Sequence, residues 1–297
     1  MTSTAAAPPS RRCRSVSSKT WTAVGLLAIP LWATWPALSL QTWQIPAFEC
    51  LALVFLVASL VLSLLEQPTD LSHLEPSWVW SWLPALAFAF AMTGSAVFFL
   101  MATRYISAAE ANLIQFLWPA MVIGLGALFG TFRLKVRYIG GIVLGFAGMV
   151  VLSRSVALSE SYEGVGLALL GGLSWALYCI FRLKWRRSTG ALLARGFGLA
   201  AFTCGVLHLF LEPTIVPTAT SAVAIAASGI APGALANWAW DHGFRRGNSQ
   251  LLTVTAYASP LCSALLLVVL GLESLTPRLL AGASLIVIAA LLSHTQA

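Results

Sequence analysis

The chain alternates long apolar stretches with short polar turns. Apolar runs occupy about Trp21–Leu40, Pro46–Leu65, Trp80–Thr103, Glu110–Gly130, Tyr138–Ser153, Gly164–Phe181, Leu192–Leu211, Ser221–Trp240, Gln250–Leu270 and Pro277–Ser293. Hydrocarbon about 30 Å thick is crossed by about 20 helical residues, because in lipid a helix must satisfy its own backbone polar groups. The pattern therefore predicts an all-α polytopic membrane protein with ten transmembrane helices. Composition agrees: charged residues are 9%, hydrophobic ones 59% and mean hydropathy is +0.85, whereas a soluble domain carries about a quarter charged.

Within this pattern, Glu110–Gly130 is the most informative run, since it holds Asn112, Gln115 and the Trp118-Pro119 pair. Polar groups and a proline at that depth must face a cavity or another helix. Asn248–Gly271 is its counterpart: placing Pro119 over Pro260 also places Gly130 over Gly271, and approximately sets Trp32 over Trp175 and Gly94 over Gly233. The chain thus reads as one half written twice, residues 21–153 and 154–294, after a disordered cytoplasmic tail over residues 1–20.

Charge sets the orientation. Net charge is +7, but the basic residues sit in turns, where they serve topology rather than nucleic acid. With the N-terminus inside, fourteen of the seventeen Lys and Arg residues are cytoplasmic, Arg182, Lys184, Arg186, Arg187, Arg245 and Arg246 among them, leaving Arg104, Arg154 and Arg278 outside. Both termini are then cytoplasmic. Five helices per half is an odd number, so the second repeat is inverted relative to the first, which supplies the pseudo-symmetry by which one central site can open alternately to either side.

Chemistry is sparse. Cys13, Cys50, Cys179, Cys204 and Cys262 lack paired spacing, and His73, His208, His242 and His294 form no metal motif, so neither metal nor cofactor is expected. No Ser/His or His/Asp grouping points to an enzyme. Glu49, Glu110 and Asp241 stand toward helix ends, which predicts no carboxylate relay at mid-depth.

Glu110, the run Gln115-Phe116-Leu117-Trp118-Pro119, Trp240-Asp241-His242-Gly243, Gly247-Asn248 and Tyr257-Ala258-Ser259-Pro260 resemble the EamA-type exporters of the drug/metabolite transporter superfamily, in particular their aromatic amino acid branch. The resemblance runs from about Trp21 to Ser293 and implies efflux of phenylalanine, tyrosine and tryptophan through a bacterial inner membrane. It carries over Glu110, Trp118, Pro119, Trp240, Gly243, Gly247, Asn248 and Pro260. The chain departs from that pattern with Gln115 for Asn, Phe116 for Tyr and Asp241 for Asn.

Candidate substrate contacts are the ring-bearing Trp32, Trp118, Trp175, Tyr178, Trp238 and Tyr257, with Asn112, Gln115 and Asn237 as neutral hydrogen-bonding partners. Pro119, Pro260 and Pro232 are candidate kinks or gates. The expected partners are an amino acid substrate and the lipid bilayer. The chain is expected to work as a monomer, with higher oligomers left open. A broader drug or metabolite exporter is the competing expectation.

Overall fold

A computed structural model describes residues 17–65, 78–152, 161–185, 191–272 and 274–294. Most of the N-terminal tail, the acidic loop after residue 65, Arg154, Arg186 and Arg187 lie outside the described residues. Every regular element described is helical: α1 (Ser18–Leu26), α2 (Ala28–Trp32), α3 (Trp35–Ser39), α4 (Ala47–Leu65), α5 (Trp78–Ala102), α6 (Ala108–Gln115), α7 (Trp118–Leu128), α8 (Val136–Leu152), α9 (Tyr162–Lys184), α10 (Leu192–Leu211), α11 (Ala219–Ser228), a π-helical stretch (Gly229–Leu235), α12 (Ala236–Arg246), α13 (Ser249–Thr255), α14 (Ala258–Val269) and α15 (Pro277–His294).

Among the described residues seven helices are long and apolar enough to cross a membrane: Ser18–Ser39, Ala47–Leu65, Trp82–Ala102, Glu110–Leu128, Tyr162–Lys184, Leu192–Leu211 and Ala219–Arg246. Ser249–Thr255 and Ala258–Val269 make an eighth if the pair, bent by 43°, is one span. Val136–Leu152 and Pro277–Ser293 are apolar but shorter. The outward faces expose Phe90, Phe202, Phe210 and Val223. Such surface suits lipid, which imposes no hydration cost on it.

Several of the expected spans are broken, and proline chemistry explains where. Proline has no N–H to give the carbonyl four residues earlier, and its ring crowds that carbonyl. Pro119 therefore releases the carbonyl of Gln115, and the chain leaves the helix over Phe116 and Leu117 before α7 begins. Pro260 stands in the same relation to Ala256, and the chain breaks over Ala256 and Tyr257. The first span is divided twice, with Pro30 inside α2 and Pro36 in the first turn of α3. Pro232 widens its helix into the π-helical stretch instead of ending it.

The two broken spans share their ends as well. Ser107 and Asn248 cap them, accepting from the N–H of Glu110 at 3.2 Å and of Leu251 at 3.0 Å. Gly130 (φ 67°) and Gly271 (φ 71°) end them in the left-handed conformation, which favours glycine. In each case the next residue donates its N–H to the carbonyl five back, Thr131 to Gly126 at 2.7 Å and Leu272 to Leu267 at 2.9 Å.

Helices meet where side chains are missing. α1 crosses α12 at Gly25 and Gly243, so close that a Cβ on Gly243 would land on the Gly25 backbone. Gly172 of α9 lies against the freed carbonyl of Gln115, and Gly229 packs on Val54 and Val57 of α4. These approaches draw the first span to α12 and the break between α6 and α7 to α9.

Candidate functional site

Four indoles meet among these elements. Trp32 ends α2, Trp118 begins α7, and Trp175 and Trp240 project from α9 and α12. Their ring centroids form a closed circuit: Trp32 to Trp240 at 5.2 Å, Trp240 to Trp118 at 5.7 Å, Trp118 to Trp175 at 6.4 Å and Trp175 to Trp32 at 6.3 Å. Three of the four contacts are edge-to-face, the geometry in which a ring's positive edge meets its neighbour's negative face. Trp118 is 9% exposed and Trp240 2%, while Trp32 and Trp175 are half-buried. Tyr178 extends the cage, 5.4 Å from Trp175 and 5.0 Å from Phe88 of α5.

The other candidate residues are not all gathered here. Gln115 gives its amide N–H groups to Ser95 of α5, at 2.5 Å to Oγ and 3.4 Å to the carbonyl. Asn112, on the same short helix, is exposed. Asn237 is buried and spends its Nδ2 on the carbonyls of Pro232 at 3.1 Å and Gly233 at 2.8 Å, supporting the π-helical stretch. Trp238 packs on His242 at 4.5 Å. Tyr257 is fully buried with Leu113 and Met149, against Phe146 at 6.4 Å and the Cβ-less face of Gly145. Pro119 and Pro232 are buried and Pro260 half-buried, each at the irregularity described above.

One ionic feature near the cage is only half legible in local sequence spacing. Asp241 is buried and takes a two-pronged contact from Arg182, Nε to Oδ1 at 2.7 Å and Nη2 to Oδ2 at 3.1 Å, together with Arg245 Nε to Oδ2 at 2.8 Å. Arg182 also donates to the Trp185 carbonyl at 3.2 Å. The clasp ties α9 to α12 through the residue following Trp240, so two of the basic residues assigned to topology are structural as well. Arg245 lies one turn beyond Asp241 and could be paired by its i,i+4 spacing. Arg182 is 59 residues away on another helix. Glu49 and Glu110, expected near helix ends, are buried too.

Among the described residues no group of three His, Cys, Asp or Glu side chains could hold a metal, and Cys50, Cys179, Cys204 and Cys262 are free thiols. An apolar groove of about 450 Å³ between α3 and α11, lined by Leu38, Gln41, Thr220 and exposed Val223, lies on the flank.

The profile of the EamA-like transporter family matches residues 19–154 and again residues 163–295. The chain belongs to the EamA-like transporter family. It is a multi-pass inner-membrane protein, and family membership makes it a transporter rather than an enzyme. It is 31% identical to the aromatic amino acid exporter YddG of Ancylobacter novellus over 280 residues, 92% of this chain and 96% of that one. Against YddG of Salmonella typhimurium identity is 25% over 206 residues, 64% and 68% of the two chains. A protein of known crystal structure superposes with a TM-score of 0.85 at 29% identity, covering 94% of this chain and 97% of its own.

Proposed function

We propose that this protein exports amino acids, with ring-bearing ones preferred, and that Trp32, Trp118, Trp175, Tyr178 and Trp240 form the surface a substrate ring meets. The observation that carries the reading is the closed circuit of four indoles at the meeting point of α2, α7, α9 and α12. Stacked and edge-to-face partners hold an aromatic ring by about 0.5–1.5 kcal/mol per contact, and an ammonium near a ring face is attracted by a similar amount. A long match to an exporter named for aromatic amino acids supports it.

The same reading counts α8 and α15 as spans, making ten helices in two inverted five-helix halves with both termini in the cytoplasm. The shared caps, proline breaks and left-handed glycines of α6–α7 and α13–α14 support this, as does the twofold match of the family profile. A reporter fused after Ala297 is then active in the cytoplasm and one placed within residues 155–161 is active outside. Both on one side would overturn the inverted repeat.

A second reading, a broader exporter of drugs and other metabolites, is favoured by the relatives that are transporters without a stated substrate, such as YedA of Escherichia coli, 26% identical over 53% of this chain. Efflux from proteoliposomes loaded with phenylalanine, tryptophan, alanine, lysine or a ring compound lacking the amino acid group separates the two. Preference for phenylalanine and tryptophan over the last compound supports the first reading, and equal rates establish the second.

A further inference from the structure

A second buried polar group lies at the opposite end of the fold from the arginine clasp, where the N-terminus of α4 meets the C-terminus of α10. Glu212, just past α10, turns its carboxylate onto the first turn of α4, accepting from the N–H of Phe48 at 3.0 Å and 3.1 Å and of Glu49 at 3.2 Å. Glu49 reciprocates by accepting from the N–H of Ile215 at 3.0 Å. His208 sits between them, Nδ1 3.2 Å from Glu212 Oε2 and Nε2 3.8 Å from Glu49 Oε2. Each carboxylate thus caps the other's segment, with one imidazole inserted in the exchange.

The hydrogen bonds leave the imidazole free to change charge. An ionised carboxylate only accepts, so Nδ1 carries a hydrogen whichever form is present. Nε2 faces the Thr214 hydroxyl at 3.0 Å, and a hydroxyl can donate to a bare nitrogen or accept from a protonated one by rotation. A proton can therefore be gained or lost at Nε2 with no bond broken. Gaining it places positive charge between two carboxylates whose ion-pair partner among the described residues is this histidine. Losing it leaves two carboxylates crowded at a largely buried seam.

The remaining groups packed here are few. Cys50 follows Glu49 and faces Thr42, and Cys204 stands one turn before His208, facing Thr93 of α5. The start of α11 brings Thr218 and Ser221, which do not titrate and whose hydroxyls bond each other and the Gln41 carbonyl.

We propose that Glu49, His208 and Glu212 form a proton-operated latch across the seam between α4 and α10, closed when His208 is protonated, so that acid at the outer face slows export. The outer placement rests on the orientation proposed above. Imidazole is the side chain that ordinarily changes charge between about pH 5 and 8, and one proton changes an equilibrium by up to about tenfold per pH unit.

The test is phenylalanine flux in right-side-out membrane vesicles, stepping the pH of each side in turn between about 5.5 and 7.5 while the other side is held fixed. Flux of the unaltered protein is expected to rise several-fold with outer pH. His208→Gln is expected to lose the dependence, and Glu49→Gln, which keeps an oxygen for the Ile215 N–H, to weaken it. Dependence confined to the inner face would support the latch and overturn the orientation. A pH profile identical in His208→Gln and the unaltered protein would overturn the latch. Nitrogen NMR of labelled histidine in the purified protein, with His208 assigned through His208→Gln, needs no transport. A His208 ring that keeps one protonation state across this range would also overturn the latch, while titration without flux would fault the transport reading alone.

Discussion

Trp118→Ala is the perturbation that most directly separates recognition from packing at the cage. Trp118 opens α7 beside Pro119, and its indole meets Trp175 at 6.4 Å and Trp240 at 5.7 Å, both close to perpendicular at 89° and 84°. Truncation removes both contacts and leaves a void, so stability falls by roughly 3–5 kcal/mol, the usual cost of deleting a large buried aromatic. That loss bears on every substrate alike once flux is expressed per folded transporter. Recognition adds a different effect. A phenylalanine ring that had used the Trp118 face loses about 1–2 kcal/mol of contact, while alanine loses almost nothing, so the phenylalanine-to-alanine flux ratio falls ~5–30-fold. Trp118→Phe retains a ring and most of the ratio. The assay is initial efflux of both amino acids from loaded proteoliposomes, normalised to monodisperse protein. An unchanged ratio in Trp118→Ala would refute the recognition role and return this indole to packing.

Three further outcomes follow from the geometry. Asp241→Ala removes the buried carboxylate that Arg182 and Arg245 share, a loss of about 3–5 kcal/mol that appears as a lower unfolding temperature in detergent. Gly243→Val drives a side chain into the Gly25 backbone and is expected to abolish accumulation of folded protein, whereas Gly124→Ala, with nothing within 4 Å of the added Cβ, leaves its chromatographic profile unchanged. Phenylalanine is expected to leave proteoliposomes down its own gradient with equal pH on both sides. Strict dependence on an imposed proton gradient would contradict this and direct attention to Glu49 and Glu110, which are buried.

Residues whose effect is local could be read directly from the chain. Apolar runs of spanning length identify membrane helices because lipid admits few other backbones. Pro119 and Pro260 locate breaks because a proline disturbs the carbonyl four residues before it, and Gly130 and Gly271 end helices because their φ lies where a Cβ is disfavoured. Trp175 and Tyr178 share a face for the same local reason, three residues apart on one helix.

Tertiary structure alone decided which of these residues meet. The cage joins side chains from four helices, and no periodicity within one of them specifies Trp240 as the partner of Trp32 and Trp118. Asn237 and Tyr257 are as deeply buried as the cage residues, yet the first is taken up by the carbonyls around Pro232 and the second by the pocket beside Gly145. Arg182 counts as a topological charge until α9 and α12 set it against Asp241, and His208 has its i,i+4 neighbour Glu212 by local spacing but gains Glu49 through the packing of α4. Chain distance carries no information about such pairs, because their energy arises only when burial removes the water that would otherwise solvate each charge separately.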